Sequence, residues 1–496
     1  MRSALFHALS LDRRRPASLQ HQLSDELRQG VIAGRVHPGT RLPATRRLAE
    51  ALGVSRNTVL GAFAQLVAEG YLEARQGSGT FVQAALPEDA LPAPSRLLGR
   101  LRRPSNPPRL STRGQVLAQT RVSAQVADQP LVPFRPGIPA LDLFPHTLWN
   151  RLHARVARRL DPALFTYGYA AGYPPLRRAI ADYLRAARGV RCEWEQVIVV
   201  SGAQQALDLT ARLVLDPGDP AVVEDPGYPG ARAALEAAGA KLRPIGVDAD
   251  GLVVDGMRPL PPARVAYVCP SHHNPLGGTL PLRRRLALLA WARKQRAWIL
   301  EDDYDSEFRY RGSPLPALQG LDRRNCVLYM GTFSKVLLPA LRLGYLVVPP
   351  EFIGAFTAAK ALADRQTPLL EQAVLARFLE EGHFERHVRR MRTVYLERQT
   401  TLVQTISTTL GGVVDAQAAV AGLHLVGWLP AGTDDAAVSD ALLRRGIECP
   451  PLSHYAIGSR PRSGLLLGYA AFTPEMLRRA VRELAAHLYG LKILRR

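Results

Sequence analysis

The chain has little cysteine, only four residues (Cys192, Cys269, Cys326 and Cys449), far apart and without a CxxC pair. Such spacing excludes a zinc ribbon and a disulfide framework. Cys269 is followed by His272 and His273, but no second ligand cluster accompanies them, so no metal is expected. No run of ~20 apolar residues occurs, which excludes a membrane-spanning helix. The start, Met1-Arg2-Ser3-Ala4-Leu5-Phe6, lacks the apolar core and cleavage site of an export signal. These absences predict a cytoplasmic protein with reduced thiols and no membrane partner. Acidic residues are also short, 43 against 64 Lys+Arg, for a formal net charge of +21. Most of the excess is arginine, which keeps its charge and pairs with phosphate bidentately. A nucleic-acid partner is thereby permitted, but an arginine-rich proteome gives the same excess, so a motif must decide.

What is present divides the 496 residues into three regions. Residues 1–83 read as short helices followed by a two-stranded ribbon. Residues 84–133 hold eight prolines and seven arginines against three acids, with little periodicity. That composition predicts a solvated basic linker. From 134 to 496 the pattern is α/β. The apolar runs Val197–Val200, Ala221–Val223, Val265–Val268, Ala297–Leu300 and Cys326–Tyr329 read as buried strands, with helical patterns such as Leu282 to Gln295 between them. This alternation predicts a mostly parallel sheet covered on both faces by helices, with functional residues at strand ends. From about 370 to 496 the pattern becomes a smaller α+β lobe.

Two chemistries stand out. In the first region, Leu42-Pro43-Ala44-Thr45 opens one helix, Gly53-Val54 turns the chain, and Ser55-Arg56-Asn57-Thr58-Val59 starts another. Two helices joined by a short glycine-containing turn are a helix-turn-helix, whose second helix presents Ser55, Arg56, Asn57 and Thr58 at its N-terminus. Val54, Val59, Phe63 and Leu66 form its inward face. Gly70 to Arg75 and Gly77 to Val82 then form a hairpin, the wing. In the α/β region, Thr332-Phe333-Ser334-Lys335 with Arg342 places an amine nucleophile beside groups that hold a phosphate. A pyridoxal phosphate Schiff base needs this combination. Ser201-Gly202-Ala203-Gln204 follows a strand and opens a helix, an anion site by geometry. Tyr228 in Glu224–Pro229 offers a ring to stack on a heterocycle, and Asn274 an amide for a ring hydroxyl. The acids in Glu301–Asp305 suit either a pyridine nitrogen or a metal.

The segment Leu19 to Val82 resembles the GntR-type winged helix, on Gly34, Pro38-Gly39, Arg41-Leu42-Pro43, Leu48-Ala49, Ser55–Val59 and Gly77–Val82. That resemblance implies DNA contacts from Arg46, Arg56, Thr58, Gln76 and Gly77; Leu60 stands where some relatives carry a further arginine. The chain from about Phe134 onward resembles fold-type I, pyridoxal phosphate-dependent aminotransferases. The resemblance rests on Tyr167-Gly168, Gly172–Arg177, Ser201–Gln204, Tyr228, Asn274–Gly277, Asp302/Tyr304, Ser334-Lys335 and Arg342, in that order. It implies that Lys335 forms the Schiff base with pyridoxal 5'-phosphate and that Asp302, rather than Asp303, meets the ring nitrogen. It further implies that Tyr228 stacks on the ring, that Asn274 and Tyr304 bond its phenolic oxygen, and that Ala203, Gln204, Thr332, Ser334 and Arg342 surround the phosphate. Together the two halves resemble the MocR/GabR transcription regulators, which implies operator DNA as partner and a head-to-tail homodimer. It also implies an effector that is an amine, an amino acid or pyridoxal phosphate itself.

One departure affects the effector. Aminotransferases of this fold hold a substrate carboxylate with an arginine in a late strand. Here that strand reads Gly464-Leu465-Leu466-Leu467-Gly468-Tyr469, leaving Arg460 and Arg462 as the nearest candidates. The alternatives are a working aminotransferase with an accessory head, or a scaffold that no longer binds cofactor. The intact Lys335, Asp302, Tyr228, Asn274 and Arg342 argue against the scaffold.

Overall fold

The computed structural model describes residues 11–13, 15–84, 109–119, 131–158, 162–254, 261–312, 315–458 and 462–490. The chain forms two compact units that divide between Arg109 and Leu110. In the first, α1 (Leu19–Ile32), α2 (Thr45–Leu52) and α3 (Arg56–Ala68) precede an antiparallel ribbon of β1 (Leu72–Arg75) and β2 (Gly79–Val82). The turn between α2 and α3 is possible because Gly53 adopts a left-handed conformation, φ 61°. Leu48, Val59, Ala62, Phe63 and Leu66 are buried against Leu23 and Leu27 of α1, while Val54 is only partly buried at the edge of this core. Ala44, with no side-chain hydrogen bond, is the N-cap of α2, and Thr45 is its first helical residue.

Little of the proline-rich connector is described, since 85–108 and 120–130 lie outside the described residues. Within it, Thr112–Gln119 forms a helix, α4, that packs against α8 (Pro229–Ala237) of the second unit. Tether-like composition misses α4 because its start depends on one residue: Ser111 Oγ accepts from the Gly114 N–H at 3.0 Å, satisfying an orphan donor of the first turn.

The second unit is built on an eight-stranded sheet. In chain order its strands are β3 (Val197–Val200), β4 (Pro220–Asp225), β5 (Lys241–Asp248), β6 (Gly251–Leu252), β7 (Val265–Val268), β8 (Trp298–Asp303), β9 (Val327–Thr332) and β10 (Gly344–Val347). The spatial order is β3-β10-β9-β8-β7-β4-β5-β6. Pairings from β9 through β8, β7 and β4 to β5 are parallel, and β10 runs antiparallel between β3 and β9. Along β3, Val197 and Val199 enter one core layer while Ile198 and Val200 enter the other. Burial on both faces is why this strand reads as an unbroken apolar run. A late three-stranded antiparallel sheet, β11 (Asp415–Ala416), β12 (His424–Trp428) and β13 (Gly464–Gly468), belongs to the smaller lobe. It follows a 27-residue helix, His383–Thr409. No helix among the described residues is long and apolar enough to cross a membrane.

Candidate functional site

The parallel strands deliver their C-terminal ends to one cavity of about 370 Å³. β9 ends at Thr332 and leads to Lys335; β8 ends at Asp302-Asp303 and leads to Tyr304; β4 leads to Tyr228 and β7 to Asn274. Lys335, Asp302, Tyr304, Tyr228, Asn274 and Thr332 all line this space, as does Ala203 at the start of α7 (Ala203–Val214). Three other expected residues, Gln204, Ser334 and Arg342, do not line it. Gln204 Nε2 donates to Gly230 O at 3.2 Å. Ser334 is buried, with its N–H donating to Thr332 Oγ1 at 3.1 Å. Arg342 holds a left-handed backbone, φ 49°, and its guanidinium lies so close to Gly202 that a Cβ there would stand 3.2 Å away.

Lys335 Nζ donates to Gly137 O at 2.9 Å. Burial lowers the amine's pKa against the pull of Asp305 and Asp302, which raises its neutral, nucleophilic fraction. Gly137 sits at φ +72°, and a Cβ on it would meet Lys335 Nζ at 2.7 Å, so only glycine leaves the amine its place.

Asp302 is almost wholly buried, and burial pushes its pKa up to about 7 even though Tyr267 donates to it. That hydroxyl reaches Oδ2 at 2.7 Å, while Oδ1 is buried with no partner. Asp303 is committed elsewhere. Its Oδ2 accepts from Arg188 Nε at 2.8 Å and from the Tyr329 hydroxyl at 2.6 Å in a buried ion pair. Tyr304 Oη lies 3.0 Å from His272 Nδ1, which lies 2.9 Å from Asp305 Oδ1. His273 Nε2 and Glu224 Oε2 are 3.7 Å apart, close enough for an ion pair. Burial nevertheless pushes His273 down to about 3 and Glu224 up to about 8, so we read this contact as neutral.

These groups fit pyridoxal phosphate. Asp302 Oδ1, Asn274 Oδ1 and Ser334 Oγ are among the buried polar atoms without partners, and a ligand in this cavity could complete them. The start of α7 beside Arg342 supplies backbone N–H groups and a cation for a phosphate. No group of three or more possible metal ligands occurs among the described residues.

The arginines expected for an effector carboxylate fare differently. Arg460 lies outside the described residues. Arg462 is exposed, its guanidinium 5.1 Å from the centre of the Trp428 ring, and it does not line the cavity. The residue of β13 that does line it is Leu466. A cation that sequence reading missed, Arg135, lines it too.

In the first unit, Arg46, Arg56, Asn57, Gln76 and Gly77 are exposed. Arg46 pairs only loosely with Glu50, at 3.7 Å. Ser55 caps α3: its Oγ accepts from the Thr58 N–H at 3.1 Å and lies 2.9 Å from Thr58 Oγ1. Gly77, φ +73°, makes the wing tip.

Fold and cavity together define a winged helix-turn-helix attached to an aminotransferase-like domain. Residues 19–82 match the family of bacterial regulatory proteins, gntR family, and residues 146–484 match aminotransferase class I and II. The chain is 43% identical over 485 residues (98% of this chain, 96% of the relative) to the probable rhizopine catabolism regulatory protein MocR of Rhizobium meliloti. It is 33% identical over 480 residues (96% and 97%) to the pyridoxine biosynthesis transcriptional regulator PdxR of Corynebacterium glutamicum. Among solved structures it is similar to the α-aminoadipate aminotransferase LysN of Thermus thermophilus, complexed with N-(5'-phosphopyridoxyl)-L-leucine. That similarity has a TM-score of 0.69 and 29% identity, and covers 76% of this chain and 97% of that one. The chain belongs to the MocR-type family of GntR transcription regulators. It is accordingly a DNA-binding regulator whose second domain is of the pyridoxal 5'-phosphate-dependent aminotransferase kind.

Proposed function

We propose that this protein regulates transcription according to what occupies the cavity around Lys335. The observation that carries this reading is the bare, buried Asp302 Oδ1 in the same cavity as the Lys335 amine. In this reading Lys335 forms the Schiff base, Asp302 faces the ring nitrogen, Tyr228 stacks on the ring, and Asn274 and Tyr304 take its phenolic oxygen. Ala203, Gln204, Thr332, Ser334 and Arg342 hold the phosphate. The cofactor, when bound, supplies an aldehyde carbon that primary amines attack and a ring that withdraws electrons.

The effector is an amine, an amino acid or pyridoxal phosphate itself. The names of two relatives connect one to rhizopine catabolism and the other to pyridoxine biosynthesis. On the DNA side, Arg46, Ser55, Arg56, Asn57, Thr58, Gln76 and Gly77 contact the operator, with α3 in the major groove. Residues 1–83 form the head, 84–133 the connector and 134–496 the effector domain, its small lobe beginning near 370. A protein that reads operators works in the cytoplasm. A head-to-tail homodimer is the assembly we favour, and the exposed aromatics Phe165, Tyr167 and Tyr169 on one loop are a candidate contact surface.

The experiment is a pair of titrations on one preparation. Pyridoxal phosphate added to the apoprotein should give a visible absorbance band that Lys335→Ala lacks, and the wild type should retard DNA from its own promoter. Binding of that DNA by Arg56→Ala as tightly as by wild type overturns the assignment of α3.

A further inference from the structure

The cavity contains a charged group for which the cofactor has no use. Among the described residues lining it, the side chain that carries a fixed positive charge is Arg135, since burial favours the neutral form of Lys335. Arg135 is 7% exposed. Its Nε donates to Glu448 Oε2 at 2.6 Å, and its Nη2 is buried without a partner. Glu448 also lines the cavity.

The backbone holds Arg135 firmly in position. Gly468 N donates to Phe134 O at 2.8 Å and Glu448 N to Pro133 O at 3.1 Å, tying this strip to the small lobe. A Cβ on Gly468 would stand 2.3 Å from the Arg135 carbonyl, so strip and strand are in direct backbone contact. Two residues further on, Gly137 O accepts from the Lys335 amine. One short strip therefore carries the guanidinium and also touches the nitrogen that an incoming amine replaces.

The chemistry of the pair is unfinished. A carboxylate matches the Nε and Nη2 donors of arginine as a parallel fork. Glu448 engages only Nε, leaving a buried donor unsatisfied until another acceptor arrives. The other groups facing this space offer no rival cation. Leu466, Leu423 and Pro450 are apolar. His424 is held neutral by burial, its pKa pushed down to about 4. Asp302 and Asp305 are engaged by Tyr267 and His272.

We infer that Arg135 is the recognition group for the carboxylate of an amino-acid effector, and that Glu448 is the internal anion this carboxylate competes with. The inference rests on the cofactor reading of the cavity and narrows the effector to amines that carry a carboxylate. The covalent part is an exchange at one carbon. With the cofactor bound, the effector's amine nitrogen would bond to the carbon that Lys335 holds, the carbon–nitrogen bond to Lys335 would break, and the two protons of the incoming amine would pass to the lysine nitrogen. No oxidant or reductant is needed.

The test uses the full-length protein loaded with pyridoxal phosphate, with ligand binding followed by absorbance and by thermal shift. Matched ligands differ only in the carboxylate: alanine against isopropylamine, and 5-aminopentanoate against pentylamine. In wild type at least one amino acid should bind more tightly than its matched amine. Arg135→Gln should erase that preference, weakening the amino acid about tenfold or more, the scale of a charge-assisted hydrogen bond, while the alkylamine changes little. Glu448→Gln should instead strengthen the amino acid and leave the alkylamine alone. Should Arg135→Gln not fold, Glu448→Gln decides alone. A Glu448→Gln variant without altered carboxylate preference, an Arg135→Gln variant that keeps it, or a wild type with none overturns the inference. Failure of wild type to take up pyridoxal phosphate refutes the cofactor reading instead, before any effector is added.

Discussion

Tyr267 donates its hydroxyl to Asp302 Oδ2 at 2.7 Å and leaves Oδ1 of the same carboxylate bare. The bond opposes the burial that raises Asp302, so it keeps more of the group ionised at neutral pH. Tyr267→Phe should therefore weaken pyridoxal phosphate binding by about two- to tenfold, the worth of one hydrogen bond of roughly 0.5–1.5 kcal/mol. The loss should be largest near and below neutral pH, where the extra protonation of Asp302 takes effect. A fluorescence titration of the apoprotein at several pH values measures it; equal affinity across the range would separate Tyr267 from the cofactor.

Gly137 faces the lysine amine with no room for a side chain. Gly137→Ala should displace Lys335 Nζ and strain a left-handed backbone. Cofactor capture should slow severely while DNA binding by the separate head domain is kept. Unchanged capture kinetics by stopped-flow absorbance would contradict the close approach.

Burial keeps His273 and His424 neutral, with pKa values pushed down to about 3 and about 4 from an ordinary 6.5. Because the folded values are depressed, their stabilisation is complete above the unfolded pKa and is lost as pH falls below 6.5 toward 4. Thermal melts should drop over that window, and His424→Asn should show a shallower slope than wild type. Raised carboxylates such as Glu224 act with the opposite sign, which is why the difference between the two proteins is the informative quantity. Parallel curves would argue against a buried neutral His424.

In the head, Ser55 and Arg56 are both proposed operator contacts, but only Ser55 also caps a helix. Ser55 caps α3 and Arg56 is exposed. Ser55→Ala should lower head stability by about 1 kcal/mol. Arg56→Ala should leave the melt unchanged, weaken operator binding, and reduce its salt dependence if the contact is to a phosphate. Gel shifts at two salt concentrations beside thermal melts separate the two.

Where the fold was legible in the sequence, local residues carried it. β3 and β7 are four-residue apolar runs because both faces are buried, and the lysine loop follows a strand whose end is a threonine. β5 was invisible because its residues, Arg243 and Pro244 among them, are largely exposed, with only the two-residue β6 beyond it. β10, reading Gly-Tyr-Leu-Val just after Arg342, is a strand only because β3 and β9 flank it. Arg135 had no local signature: its partner Glu448 is 313 residues away, and only folding shows which arginine reaches the cavity. Arg462 was the nearer candidate by sequence, yet the ring of Trp428 holds it outside.

The most direct measurement titrates pyridoxal phosphate into wild type and Lys335→Ala and reads, in each sample, the visible absorbance and the retardation of promoter DNA. We expect saturable, borohydride-fixable uptake in wild type, none in the variant, and a change in DNA retardation on loading that occurs in wild type alone. Covalent uptake that persists without Lys335, or DNA binding indifferent to loading in both proteins, would contradict the coupling of this cavity to the head.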